Sequence, residues 1–497
     1  MMNNLIILPL LIPLGAGLMT AIFRKNILFQ RIISILAVLL TCAASFFLIS
    51  QVSSQGIQTL QLGGWPAPYG ITFALDMFAA LLILTASFVS LACLLFAIPS
   101  IGQERERYYF YPLYQFLMVG VNGSFLTGDL FNLFVCFEVM LLASYVLLSL
   151  GGTKPQLRES IKYILINTIS SSLFLIAIAY LYRITGTVNM AHLSVLIAQA
   201  GQDGLITTVS LLFIIVFSLK AGLLLFFWLP GSYSTPPAAV RAVFGALLTK
   251  VGIYAIFRVF SLIFYHQPET THLILGVMAL LTMLLGGMGA MAYWDIHKIL
   301  SYNVIISVGF IIAGFTAFSM EAIIGAIYYL MHDMIVKALL FLIGGAMIGI
   351  TGTSKLKEMS GLIRYHPLLG WMFFIGAMAL GGIPPLSGFI GKLIITQGIL
   401  EKGALDPFFY ALAAAGLLSS LMALYSVVKI FTNGFWGETL LSKDMEKIST
   451  KGLIFPCVLL TAISIFLGLG GEVLYPYLAA AAETLLNPQI YIEAVLK

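Results

Sequence analysis

Apolar stretches long enough to cross a lipid bilayer recur along nearly the whole of this chain. A straight helix needs about 20 apolar residues to span the hydrocarbon core, and we count fourteen such stretches. Only 9% of the residues are charged, whereas soluble domains have about 25%. We therefore predict an all-α polytopic membrane protein with about 14 transmembrane helices. The stretches are 4–23, 32–51, 72–98, 108–127, 129–150, 160–183, 206–230, 238–264, 272–292, 298–317, 321–350, 368–400, 408–434 and 452–475.

Basic residues are concentrated in alternate loops. Sixteen lysines and arginines fall in one set of loops, four in the other set and five inside apolar stretches. Because basic loops stay in the cytoplasm, we predict that the chain lies in the cell membrane with both termini on the outer face, which requires an even number of spans. The net charge of +5 is modest and forms no basic face, so nucleic acid is not a predicted partner.

Two spans contain residues that break helices. The twelfth, 368–400, has the sequence GGIPP at 381–385, and the seventh has Lys220 and Gly222 ahead of Pro230. Proline removes a backbone donor and clashes with the preceding turn, and broken backbone at membrane depth must be satisfied by protein or by a watery cavity. A break beside a buried lysine in each half is the pattern of transporters built from paired repeats. The eleventh stretch is also too long for one straight crossing.

Ionisable residues lie inside several apolar stretches. A lysine at the centre of a bilayer costs about 2.5–3.5 kcal/mol on insertion scales, so a chain this apolar is expected to keep such groups for a purpose. We therefore predict an ion or proton pathway. The candidates inside spans are Glu138, Lys220, Lys250, His332, Asp333, Lys337, Lys392 and Lys429.

The candidates near the two breaks have different alternatives. Glu138 lies near the middle of its span, and Lys220 is its natural partner, either as a working pair or as a structural ion pair. Lys392 follows Pro385 by seven residues and is a candidate for the last group before the opposite surface. Lys429 lies near a span end, where snorkelling to the surface explains it as well as a function does.

The other candidates lie at the centre of their spans. Lys250 is too deep to snorkel easily. Asp333 and Lys337 are four residues apart on one helix face and could simply neutralise each other. His332 points elsewhere, and an imidazole can relay protons near neutral pH, although a hydrogen-bonded core histidine is the alternative.

Other polar residues have simpler explanations. Asp76, Asp295, His297 and Lys298 open spans, where capping and boundary roles suffice. The serine run 170–172 favours close helix packing over Na⁺ coordination. The four cysteines are far apart in apolar stretches and are interpreted as inert thiols. The sequence has no P-loop, nucleophile elbow, metal-ligand cluster or visible redox centre. We therefore predict a chain without a cofactor, whose work is driven by a gradient or by partners, and we do not expect an enzyme.

Four long segments resemble a known family. GALLTKVGIYAIFRV, YWDIHKILSYNVIISVGFIIAG, YYLMHDMIVKALLFLIGG and GGIPPLSGFIGKLIITQGI are similar to segments of the antiporter-like subunits of respiratory complex I, membrane-bound hydrogenases and Mrp cation/proton antiporters. The resemblance implies two inverted five-helix repeats with broken helices 7 and 12. It divides the chain into helices 1–3 (1–107), a first repeat (108–264), a second repeat (272–434) and helix 14 with a short tail (452–497).

The resemblance also implies roles for the buried charges. A glutamate–lysine pair on helices 5 and 7, which here is Glu138 and Lys220, controls a chain of protonatable groups. Lys250 and His332 take the central relay positions, and Lys392 takes the exit position, where some family members carry glutamate. We include Asp333 and Lys337 among the proton-transfer candidates because they adjoin His332.

The stretch FTNGFWGE at 431–438 and the short C-terminal tail favour one group within the family. They resemble the D subunits of Mrp-type multisubunit Na⁺/H⁺ antiporters, which implies H⁺ and Na⁺ as transported ions, other membrane subunits as partners and lipid as the surroundings. The alternative is a proton-pumping subunit of a complex I-type oxidoreductase or a hydrogenase. A third possibility is a carrier that works alone. The lack of an evident pocket for an organic substrate argues against it.

Overall fold

The computed structural model describes residues 4–202, 204–438, 440 and 450–496. Apart from one hairpin, the regular structure of this part is helical, which confirms the predicted fold class. The main helices are α1 Leu8–Ile22, α2 Ile27–Gln55, α3 Met77–Ser100, α4 Gln103–Arg107, α5 Phe110–Leu126, α6 Leu130–Ser149, α7 Lys154–Thr185, α8 Met190–Ala200, α9 Gly204–Ala221, α10 Leu229–Ser232, α11 Ala238–Val243, α12 Thr249–Leu262, α13 Pro268–Ala292, α14 Ile296–Ala317, α15 Met320–Thr351, α16 Pro367–Gly381, α17 Ser387–Gly403, α18 Phe408–Gly434, α19 Ile454–Leu469, α20 Gly471–Leu486 and α21 Pro488–Leu496.

Most of the predicted spans are single long helices. Within the described residues, eleven helices are long and apolar enough to cross a membrane. The other three predicted spans correspond to α5, which has 17 residues, to the broken pair α16 and α17, and to the bent pair α19 and α20. The chain is therefore a multi-pass membrane protein.

Three features differ from the sequence-based expectations. Residues 72–75 belong to strand β2 (Thr72–Leu75), which pairs antiparallel with β1 (Gln58–Gln61), so the third span begins only at Met77. Helix α8 was not predicted at all. The last span, expected as one helix over 452–475, bends by 80° between α19 and α20, at adjacent glycines that weaken helix continuity.

An aspartate caps the N-terminus of three of the spanning helices. Asp76 accepts a hydrogen bond from Ala79 N at 2.9 Å, Asp129 one from Asn132 N at 2.8 Å, and Asp295 one from Lys298 N at 3.1 Å. Each bond satisfies a backbone donor that the first turn leaves free. The capping roles predicted for Asp76 and Asp295 are confirmed. The basic residues Lys443, Lys447 and Lys497, which were counted in the loops and the tail, lie outside the described residues.

Glycines allow the helices near the buried charges to approach closely. A Cβ on Gly252 of α12 would lie 2.6 Å from the backbone nitrogen of Ala221 at the end of α9. A Cβ on Gly398 of α17 would lie 2.5 Å from the backbone nitrogen of Ala322 on α15. Because real Cβ atoms do not come so close, these contacts require glycine, and small residues at helix crossings are how membrane helices pack tightly.

A buried ion pair joins α3 to α12. Arg258 Nη2 lies 2.6 Å from Asp76 Oδ2, and both side chains are almost completely buried. Arg258 Nε also donates to the Tyr254 hydroxyl at 3.2 Å, and its guanidinium lies 4.9 Å from the ring centre of Tyr491 on α21. Asp76 therefore does more than cap a helix, because it also neutralises an arginine inside the fold.

We expect Asp76→Ala to destabilise the protein by about 3–5 kcal/mol, since removing one partner leaves the other charge buried and unpaired. The difference in the free energy of unfolding between the purified variant and the unchanged protein measures this loss of stability. Asp406→Ala is the control, because Asp406 accepts a hydrogen bond from Phe408 N at an exposed helix start and pairs with no buried arginine. Equal destabilisation by the two variants would contradict the role assigned to the ion pair.

Candidate functional site

The seventh span is broken, as predicted, directly after Lys220. Helix α9 ends at Ala221, and the backbone turns through the left-handed region at Gly222 (φ 74°) and Leu224 (φ 58°). Side chains satisfy part of the freed backbone: Leu224 N donates to Thr282 Oγ1 at 2.7 Å, and Trp228 Nε1 donates to Leu219 O at 3.2 Å. Lys220 therefore lies in the last turn of a half-helix, where the helix dipole favours a positive charge.

Glu138 and Lys220 are brought together through a third residue. Lys220 Nζ donates to Ser171 Oγ at 2.8 Å and approaches Asn167 O at 3.4 Å. The Ser171 hydroxyl in turn donates to Glu138 Oε1. The expected pair therefore exists as a bridged contact across α6, α7 and α9, with no direct ion pair between these two side chains. The serine run 170–172 was assigned to helix packing, but Ser171 makes polar contacts with both partners.

Lys250 follows an irregular turn of the eighth span. The five residues Phe244–Leu248 form a π-helical turn between α11 and α12, and such turns are frequent at functional sites. Lys250 Nζ donates to Gly245 O at 3.0 Å, inside that turn. The turn could not be read from the sequence, because the segment is as apolar as its neighbours.

Asp333 lies between two buried lysines. Its carboxylate is 2.7 Å from Lys250 Nζ and 3.3 Å from Lys337 Nζ, and all three side chains are fully buried. The contact of Asp333 with Lys337 matches the predicted spacing on one helix face. The contact with Lys250 was not foreseen, because it depends on α12 packing beside α15. The triad has one positive charge more than its carboxylate can neutralise when both lysines are protonated.

The twelfth span is also broken, as predicted, and Lys392 reaches back across the break. Helix α16 ends at Gly381 and α17 begins at Ser387. Lys392 Nζ donates to Leu380 O at 2.9 Å and to Gly381 O at 3.1 Å. These carbonyls end a helix and have no partner within it. Lys392 thus places its ammonium group at the carboxyl end of one half-helix, and Lys220 lies in the last turn of another.

His332 contacts the start of the second half-helix. Its Nδ1 lies 2.7 Å from Ser387 Oγ, which lies 3.4 Å from Ser464 Oγ on α19. The space over its other ring nitrogen is open only because residue 388 is glycine, since a Cβ there would lie 3.0 Å from His332 Nε2. His332 is therefore next to the break that also holds Lys392. Ser387 was missed among the candidates, although its position directly after the prolines was a usable signal.

Lys429 is held apart from these groups. Its Nζ donates to Met291 O and Tyr293 O, both at 2.7 Å, and its side chain is buried. It therefore compensates the carboxyl end of α13 and does not extend to the surface, as snorkelling would require. Among the described residues, no three His, Cys, Asp or Glu side chains are grouped closely enough to hold a metal ion.

A cavity lies beside each broken helix. The first, about 570 Å³, is lined by Phe226, Phe227 and Pro230 after the first break and by the charged residues Arg158 and Glu159 of α7. The second, about 490 Å³, is lined by Ile390 and Ile394 of α17, Tyr328 of α15, and Glu472 and Tyr475 at the bend between α19 and α20. The first cavity adjoins the residues that follow the first break, and the second adjoins the half-helix that follows the second break.

Comparisons with known proteins agree with this architecture. Residues 127–423 match the family described as NADH:quinone oxidoreductase/Mrp antiporter, TM. The chain is 50% identical to the D subunit of the Na⁺/H⁺ antiporter of Bacillus subtilis and 49% identical to that of Alkalihalophilus pseudofirmus, over the full length of all three chains. A chain of the Mrp complex from Dietzia sp. superposes with a TM-score of 0.90 at 31% identity, and each chain is covered completely.

The fold and the buried charges define an antiporter-like membrane subunit. The chain belongs to the NADH:quinone oxidoreductase/Mrp antiporter family, as the resemblance of its sequence implied.

The triad predicts an order of stability among variants. Asp333→Ala leaves two lysines buried without their carboxylate, which we expect to cost about 3–5 kcal/mol. Lys337→Met keeps the volume and leaves the contact between Lys250 and Asp333 intact, so its effect should be much smaller. The midpoint temperature of thermal unfolding, measured for the purified unchanged protein and for both variants, compares their stabilities. If Lys337→Met were as damaging as Asp333→Ala, the central position of Asp333 would be refuted.

Proposed function

We propose that the chain is the D-like, proton-translocating subunit of a multisubunit monovalent cation (Na⁺)/H⁺ antiporter in the cell membrane. Relatives of the same length that are named as D subunits, and the likeness to a chain of an Mrp complex, support this proposal. Other membrane subunits are its partners, H⁺ and Na⁺ are the transported ions, and the chain is a component of a secondary transporter, not an enzyme.

One observation supports the proton path above the others. The triad of Lys250, Asp333 and Lys337 is fully buried, and the groups before and after it in the proposed order, Lys220 and Lys392, each occupy a broken helix beside a cavity. Protons then enter and leave through water near the breaks. Between them, protons pass along Lys220, Lys250 with Asp333 and Lys337, His332 and Lys392.

Glu138 provides control over the first step. Its negative charge holds a proton on Lys220, because opposite charges attract strongly where water is excluded. When Glu138 moves away or is neutralised, Lys220 passes its proton on towards Lys250. The packing of Gly252 against Ala221 keeps the helix of Lys250 in contact with the end of the helix of Lys220. Movement at Glu138 thereby links proton transfer to a neighbouring subunit.

We expect Lys220→Ala, Lys250→Ala and Lys392→Ala each to reduce Na⁺-dependent H⁺ antiport by about a hundredfold, the scale of losing a proton-transfer group. The assay is quenching and recovery of a pH dye in everted vesicles that contain the whole complex, with the amount of complex measured by immunoblot. Lys429→Ala is the matched control and should keep most of the activity, because this buried lysine donates to two backbone carbonyls and contacts no carboxylate among the described residues.

Full antiport by Lys220→Ala at a normal level of complex would refute this mechanism. The absorbance of flavin or iron–sulfur clusters in the purified complex would instead favour the complex I-type alternative.

The proposed orientation has both termini on the outer face, and the two repeats span 108–264 and 272–434. The asymmetry of basic residues between loops supports the orientation. We expect a cysteine replacing Tyr69, which is 86% exposed, to react with an impermeant maleimide in intact cells. A cysteine replacing Lys357, also exposed, should react only in everted vesicles. The reverse labelling pattern would show that both termini face the cytoplasm.

A further inference from the structure

The hydroxyl of Ser171 is the shared partner of the two residues proposed to control proton entry. Ser171 is on α7, whereas Glu138 is on α6 and Lys220 on α9. The serine oxygen accepts a hydrogen bond from Lys220 Nζ at 2.8 Å, and its O–H donates to Glu138 Oε1. Ser171 and Lys220 are both largely buried and Glu138 is half-buried, so most of this contact lies within the protein.

We propose that Ser171 is a proton-transfer residue that carries a proton between Lys220 and Glu138. This inference rests on the function proposed above. When Lys220 gives a proton to the serine oxygen, the original serine proton passes to Glu138. An N–H and an O–H bond break while two O–H bonds form, so the serine is unchanged and the two charged partners become neutral. In the direction of proton entry the step runs in reverse: a proton taken up by Glu138 passes through the serine to Lys220 and restores both charges.

The neighbouring contacts explain why this hydroxyl suits the step. Lys220 has one further partner on α7, Asn167 O, one helical turn before Ser171, at the longer distance of 3.4 Å. The adjacent serines point elsewhere, because Ser170 Oγ donates to Val216 O and Ser172 Oγ donates to Thr168 O in its own helix. Among the three serines, Ser171 alone has contacts with the pair in the described structure.

A pair of substitutions separates the hydroxyl from the shape of the side chain. Ser171→Thr keeps the hydroxyl, and Ser171→Val has the same shape as the threonine variant without it. In vesicles that contain the whole complex, we expect Ser171→Thr to keep most of the Na⁺-dependent antiport. Ser171→Val should lose about tenfold or more, the scale of a hydrogen bond to a charged group. Ser172→Ala, which alters an exposed serine on the same helix, should be as active as the unchanged protein.

Equal antiport by Ser171→Thr and Ser171→Val at equal levels of complex would overturn the inference. If both variants fail to assemble, Ser171→Ala decides the question in the same way: loss of antiport with normal assembly supports it, and a full rate overturns it. Lys220→Ala distinguishes the two proposals. Loss of activity in Lys220→Ala with full activity in Ser171→Ala would refute the role of the serine and leave the proposed function standing.

Discussion

A charge buried inside a membrane needs a partner, and this requirement organises the centre of the molecule. Asp333 on α15 contacts Lys250 on α12 at 2.7 Å and Lys337 on its own helix at 3.3 Å. Removing the shared carboxylate would leave both lysines uncompensated, which costs several kcal/mol. The triad therefore holds α12 against α15, and its surplus positive charge supports the proposal that it takes part in proton transfer.

Backbone carbonyls accept hydrogen bonds from buried lysines both inside and outside this triad. Lys392 binds the carbonyls that end α16, Lys429 those that end α13, and Lys250 also binds Gly245 O in a π-helical turn. A carbonyl stabilises an ammonium group without carrying a full charge, so a lysine can lose its proton without leaving a buried carboxylate unpaired. The two lysines differ in their surroundings, since Lys392 reaches across the second broken helix, whereas Lys429 binds the carboxyl end of an unbroken helix.

Much of this arrangement was predictable from the sequence. Apolar length predicted the spans, the GGIPP run and Gly222 predicted the breaks, and the isolated charges indicated the candidate residues of the proposed proton path. The predictions failed where local pattern carries no signal. Residues 72–75 open an apolar stretch but extend as a strand that pairs with 58–61. The last apolar stretch predicts one helix but bends by 80° at Gly470 and Gly471.

The sequence by itself determined that this chain spans a membrane many times, that two of its helices break, and that charged residues lie at depth, because hydrophobic length, proline geometry and the cost of buried charge are local properties. Only the tertiary structure decided which of these charges meet. Ser171 bridges Glu138 and Lys220, Asp333 joins Lys250, and His332 contacts Ser387. Each of these contacts joins different helices through residues at least 33 positions apart in the chain, and only packing in three dimensions sets such distances.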